Sequence, residues 1–302
     1  MASPVRVMLR GEHAPASGGA RACEEALDVF HRLETERSRF DAASDLSRVN
    51  GAPDRWHRVG PYCYLALEEA WHAYRWSEGR FDPRVLADLV ALGYDRWPPR
   101  EEEGDRGART LGAAPTSPRA RWRPRLVPGA RVVHVDGARV DLGGIGKGLA
   151  VRWASRALGR SDHLVEAGGD CYCAGTGPDG GPWRVGVEDP SGGDLPLAVL
   201  AVSDLACTTS SVQRRRWVSD GRPVHHLIDP LTGRPGGTGL LSVSVIGPDP
   251  AVSEVWSKVL FLYGATTVEE AARRHGIAAC WVTDDGTLHL NARAGTHVLW
   301  RR

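Results

Sequence analysis

Apolar and polar positions alternate along residues 4–10, PVRVMLR, the period of a half-buried strand. Over 22–38 the period lengthens to that of a helix, with Ala26, Leu27, Phe30 and Leu33 on one face. Ser38–Asn50 (SRFDAASDLSRVN) is polar and predicts turns. A second helix is expected over 61–78, carrying Leu65, Leu67, Ala70, Trp71 and Tyr74 and stopping near Gly79. FDPRVLADLVALGY then opens on an Asp-Pro turn and continues apolar. Residues 96–128 lose all periodicity and are crowded with Pro, Gly, Arg and Glu. They predict a flexible insertion within one domain spanning 1–302.

Two short strands are expected near 131–135 and 138–142, then a helix over 147–158 that ends at Gly159. Short strands punctuated by glycine fill 163–202, and SVSVIG (242–247) is another. Asp249-Pro250 starts a helix that runs to Gly264. A helix over 267–275 and strands over 278–283 and 287–291 follow. No internal repeat is present. Many short strands with interspersed helices, and no regular βαβ alternation, give an α+β fold class.

Composition sharpens this picture only by exclusion. The 302 residues carry 38 basic and 37 acidic side chains, a net charge of +1, and are 42% hydrophobic. That balance fits a globular protein. It offers no global reason to bind nucleic acid or an anionic membrane. The cysteines at 23, 63, 171, 173, 207 and 280 contain no C-x-x-C pair, so they read as buried or idle thiols in a reducing compartment. Cys171 and Cys173 point the same way along a strand, where a mutual disulfide is disfavoured. No apolar run reaches the length of a signal peptide core or a membrane span, and a cytoplasmic location is expected.

Five segments could carry chemistry. Val140–Gly148 (VDLGGIGKG) runs from a strand through glycines into a helix, a geometry suited to an anion at the helix N-terminus or to a plain structural turn. It lacks the P-loop pattern, since Asp141 and Gly148 occupy the positions of its first glycine and its hydroxyl residue. Glu166–Asp170 (EAGGD) is a second glycine turn beside an acid. Asp204–Arg216 places four hydroxyls before three arginines, either a capped turn with a solvated basic face or a site where hydroxyls and arginines meet a phosphate or a flavin edge. His225–Pro235 (HHLIDPLTGRP) is a strand ending in a turn, with two adjacent histidines expected on opposite faces. Glu254 and Lys258 lie one helical turn apart, as an ion pair or as a carboxylate aimed at a metal or phosphate.

In this order the segments resemble the ApbE family, the FAD:protein FMN transferases. The resemblance rests on Met1-Ala-Ser, Ser44-Asp-Leu-Ser-Arg-Val-Asn50, Phe81-Asp-Pro83, Asp141–Gly148, Gly168-Gly-Asp170, Cys207-Thr-Thr-Ser210, His226–Pro235 and Ser253–Lys258, and it covers nearly the whole chain. It implies curved mixed or antiparallel sheets with flanking helices around a flavin cleft. FAD would lie between the glycine-rich turn and the late helix, contacted by Met1, Phe40, Phe81, Asp82, Pro83, Asp141, Lys147 and Leu227. Phe40 stands where a tyrosine is common, so stacking is retained and a hydroxyl contact is not.

The resemblance further implies a magnesium ion held at the positions of Gly144, Glu254, Ser257 and Lys258. It makes His226 the base that takes a proton from an acceptor threonine of a partner flavoprotein, which then attacks the FMN phosphorus and releases AMP. The family pattern in the late helix is Asp, then Thr four residues on. Here those positions are Glu254 and Lys258, and a charged lysine is no magnesium ligand. Weakened or altered metal dependence is expected. The competing expectations are FAD hydrolysis to FMN and AMP, and an FAD-binding protein without turnover.

Overall fold

Seven strands pair antiparallel throughout, in the spatial order Val5–Leu9, His163–Ala167, Asp170–Ala174, Leu205–Ser211, Leu240–Gly247, Ala278–Thr283 and Leu288–Leu290. The structure is a computed structural model describing residues 4–10, 18–96, 119–159, 161–213 and 215–302. Met1 and residues 97–118 of the expected insertion lie outside the described residues. The chain divides into two compact units. One is built mainly from Arg32–Gly143 and Arg214–Gly236, the other from Ser3–His31, Gly144–Gln213 and Gly237–Arg302.

The second unit holds the seven-stranded sheet. Alternation along its strands sends Cys171, Cys173, Cys207, Ile246, Cys280 and Val282 to one face. There they pack with Trp183, Leu200 and Val202 of a three-stranded sheet made by Trp183–Val187, Ala198–Val202 and Val298–Arg301. The four sheet cysteines are thus core side chains, all free thiols. Desolvation pushes the Cys280 thiol up to about 12, so it stays protonated and inert. The opposite face, with Val243 and Val245, is covered by the helices Gly146–Leu158 and Pro250–Tyr263. Asp249 caps the second of these, its carboxylate accepting from the Ala251 and Val252 N–H groups, and Gly264 ends it.

The first unit packs the helices Asp45–Gly51, Pro61–Trp76 and Leu86–Ala91 with a three-stranded sheet ordered His57–Arg58, Val132–His134, Arg125–Val127. The hairpin Arg216–Ser219/Arg222–His225 puts Trp217 and Val224 against Leu89, Leu92 and Tyr94.

Four expectations need correction. Ser38–Asn50 is not all turn, because Ser44 Oγ accepts from Ser47 N–H and caps a helix that buries Leu46 and Val49. Residues 138–142 join no sheet. The Asn50 side-chain amide takes the place of a strand neighbour, accepting from Val140 N–H (2.8 Å) and donating to Val140 C=O (2.9 Å). The described end of the insertion, 119–128, contains the strand Arg125–Val127 and a fully buried Trp122. Trp122 donates to the Val135 carbonyl and meets Trp71 and Tyr74 edge-on. Asp204–Arg216 is no capped turn, since Leu205–Ser211 is a central strand of the large sheet.

Candidate active site

In the first unit the chemistry-bearing residues form one connected set. The Asn50 amide holds Val140, and Asp141 N–H donates to the Pro83 carbonyl at 2.7 Å. That bond joins Asp141 to the Phe81–Pro83 block. Phe81 and Pro83 are buried. The Asp82 carboxylate accepts from Arg84 N–H and pairs with its guanidinium at 2.7 Å, so it fixes the turn. Asp141 Oδ1 accepts from Gly143 N–H, and Oδ2 pairs with Arg39 Nε at 2.6 Å.

The Arg39 guanidinium lies between two rings, 4.1 Å from the Phe40 centroid and 4.6 Å from that of Tyr94, and donates to the Tyr94 carbonyl. Phe40 is 46% exposed. Burial pushes the Tyr94 hydroxyl upward, opposed by Arg215, which hydrogen-bonds it, and by Arg39. The Arg215 carbonyl in turn accepts from both the N–H and the Nδ1 of His226 at 3.3 Å.

That last contact fixes a tautomer. A carbonyl only accepts, so Nδ1 of His226 carries the hydrogen and Nε2 carries the lone pair of the neutral ring. His226 sits just beyond the strand Arg222–His225, not within it. Its neighbour His225 has the opposite arrangement: Nδ1 accepts from Leu227 N–H, and the ring donates to the Gly236 carbonyl. Burial pulls the His225 ring down to about 4, so it is neutral near pH 7. Leu227 is buried, and its carbonyl accepts from Gly236 N–H.

In the second unit, Gly168-Gly169 forms the two-residue turn between His163–Ala167 and Asp170–Ala174. Both residues have positive φ (59° and 93°), as a type I′ hairpin requires. The turn sets the fully buried Asp170 at a strand start. Its Oδ1 accepts from Thr209 N–H, and its Oδ2 pairs with Lys147 Nζ. Lys147 Nζ also lies 3.4 Å from Glu254 Oε1, while Glu254 Oε2 accepts from Gly148 N–H at 2.7 Å. Two buried carboxylates therefore share one ammonium, each with a backbone donor besides, which is what lets buried charges persist. Ser257 Oγ, fully buried, donates to the Glu254 carbonyl and bonds Ser210 Oγ at 2.9 Å. Gly144 is buried in the turn that leads into the helix Gly146–Leu158.

The structure thus gathers Asp141, Phe40, the Phe81–Pro83 block and His226 in one unit, and Lys147, Glu254 and Ser257 in the other. Of Arg39, Tyr94 and Arg215, which link Asp141 to His226, the sequence singles out only Arg215, as one of the three arginines that close Asp204–Arg216. The one sequence signal for Arg39 is its position beside an aromatic in a polar stretch.

The first unit thus presents an exposed aromatic ring, a buried Arg–Asp pair and a histidine anchored through Nδ1, and the second an antiparallel sheet flanked by helices. The chain belongs to the ApbE family, whose sequence profile matches residues 1–281. It is 31% identical over 291 residues to the FAD:protein FMN transferase of Vibrio cholerae, covering 90% of this chain and 83% of that one. It is 36% identical over 153 residues to the protein of the same name from Escherichia coli strain K12, covering 49% of this chain. That match spans 43% of the Escherichia coli protein's length. The crystal structure of the ApbE protein from Thermotoga maritima superposes with a TM-score of 0.79 at 24% identity, covering 98% of this chain and 96% of that one.

Proposed function

We propose that the chain is an FAD:protein FMN transferase, acting as one ApbE-like module in the cytoplasm on an acceptor flavoprotein. A threonine hydroxyl of the acceptor attacks the FMN phosphorus of FAD. The new bond is a phosphoester, the bond that breaks joins that phosphorus to the bridging oxygen, and AMP leaves with that oxygen. The hydroxyl proton passes to His226 Nε2. The observation that carries this reading is the Nδ1–H of His226 tied to the Arg215 carbonyl, which points the ring's basic nitrogen away from its anchor. Phe40 supports it as an exposed ring on which an isoalloxazine can stack. Asp141 contributes by holding Arg39 under that ring.

The positions implied for magnesium do not fit the ion. Magnesium asks for near-octahedral oxygen ligands. Both Glu254 oxygens already face cationic or N–H partners, Ser257 Oγ is committed to two oxygens, and Lys258 brings an ammonium. Among the described residues no group of three or more His, Cys, Asp or Glu side chains could hold a metal. The step above is therefore written without one. Lys147 acts as the counter-ion that keeps Asp170 and Glu254 in place.

The test is to mix the protein with FAD and a threonine-bearing acceptor domain and to weigh the acceptor. A mass gain equal to FMN is expected. His226→Ala is expected to abolish the gain while FAD titration is unchanged; normal labelling by that variant removes His226 from the reaction. AMP release without labelling would make the chain an FAD pyrophosphatase, and bound, unchanged FAD would make it a binding protein.

A further inference from the structure

The small three-stranded sheet of the first unit has one face in the core and one outside. Pairing of His57 with Val133, and of Val133 with Leu126, places the fully buried Val133 on the inner side. The neighbouring rows, Arg58–Val132–Val127 and His134–Arg125, fall on the outer side. Trp56, two residues before Arg58, lies on that side too. Its ring meets that of His134 at 5.4 Å, tilted by 59°, and carries the Arg125 guanidinium at 5.0 Å. Trp56 is 48% exposed and Val127 44%, and Arg58 and Arg125 are exposed.

Charge is concentrated here. Residues 54–58 and 121–139 hold seven arginines, all exposed, against two aspartates, a surplus of five positive charges in a chain whose net charge is +1. Among the described residues none of Arg55, Arg58, Arg123 and Arg125 pairs with a carboxylate. Elsewhere this protein does pair its arginines, as Arg39, Arg84, Arg119 and Arg152 show. An exposed tryptophan ringed by unpaired arginines, with a valine beside it, is the composition of a binding hot spot. The field around it selects an anionic partner.

We propose that this outer face, centred on Trp56, Arg58, Arg125 and Val127, docks an acidic segment of the acceptor protein. The proposal rests on the transferase reading, which requires a protein acceptor. A single tryptophan among arginines favours a peptide over a nucleic acid, since a single-stranded nucleic acid needs a row of stacking platforms. Docking here would raise the acceptor's effective concentration without contributing to the chemistry.

Fluorescence polarisation with a labelled octaglutamate peptide tests it without any turnover, so its failure and the failure of the transferase reading are separable. Binding is expected at low ionic strength, weakening with added salt. Arg58→Glu/Arg125→Glu should weaken it at least tenfold, and Trp56→Ala by a smaller factor, with FAD binding unchanged in both. Circular dichroism melts confirm that the variants fold. A labelled octathymidylate of similar charge is the comparison. Tighter binding of the oligonucleotide, lost in the same variants, overturns the proposal in favour of nucleic acid. Absence of octaglutamate binding, or equal binding by the double variant, overturns it outright.

Discussion

Arg39 is the side chain on which the Asp141 cluster depends. Its side chain is 8% exposed, one of its terminal nitrogens has no hydrogen-bond partner, and among the described residues Asp141 supplies its carboxylate. Removing one partner of such a pair leaves a buried charge uncompensated, at a cost of about 3–5 kcal/mol. Asp141→Asn is therefore expected to destabilise the protein by about 3 kcal/mol, near the low end because the Asp141 side chain keeps 12% exposure. Urea unfolding measures this, and Arg39→Met added to Asp141→Asn should recover part of the loss. FAD binding should weaken in the single variant, because the guanidinium no longer has a reason to stay under Phe40. A loss below about 0.5 kcal/mol would mean that water already screens the pair. Asp141 and His226 are legible in the sequence because each sits in a distinctive local pattern. Arg39 is not, since what defines it is a carboxylate distant in the chain and two rings it meets only after folding.

Between elements, Gly148 and His225 carry the sharpest expectations. A Cβ on Gly148 would lie 2.4 Å from the Pro250 carbonyl oxygen and 2.6 Å from the Ala251 Cα, both backbone atoms of the facing helix. Neither can swing aside, so the helices must separate. Gly148→Ala is expected to cost roughly 1–3 kcal/mol despite alanine's better helix propensity. A thermal melt at or above wild type would show that the contact gives way easily. For His225 the folded-state value, about 4, lies below the ordinary 6.5. As pH falls the unfolded chain takes up the proton first, so the contribution to stability is complete above about pH 6.5 and is lost towards pH 4. Partial exposure limits the loss to about 2 kcal/mol. Urea midpoints at pH 7.5 and 5 should differ accordingly, and His225→Gln should flatten the difference. Elements were readable wherever a local signal was self-contained. Asp249-Pro250 and Gly264 bracket one helix, Gly159 closes another, and the Gly168-Gly169 pair is a hairpin turn. They were unreadable where a partner elsewhere decides. Residues 138–142 look like a strand, yet their backbone partners are a side chain and a loop carbonyl.

For the whole molecule, the division into units escapes the sequence because each unit is assembled from interleaved segments, so no linker separates them. The motif order reveals the family but not which motifs share a unit. Metal dependence belongs at this scale because it depends on the balance of charge that the folded chain supplies by itself. Asp170 and Glu254 are both buried, and Lys147 bridges them. Lys258 adds a second positive charge one helical turn from Glu254. Lys147 already faces both carboxylates, and a divalent cation would compete with it for the same oxygens. Turnover measured in chelator and in millimolar magnesium is expected to differ by less than about threefold, where a metal acting as a Lewis acid contributes several kcal/mol, or orders of magnitude in rate. Lys258→Thr removes the second ammonium and restores the hydroxyl of the family pattern. It is expected to make both turnover and FAD affinity responsive to magnesium. If the unmodified chain instead loses activity roughly tenfold or more on chelation, then Glu254 exchanges Lys147 for the metal during turnover, and the lysine balance is a resting arrangement only.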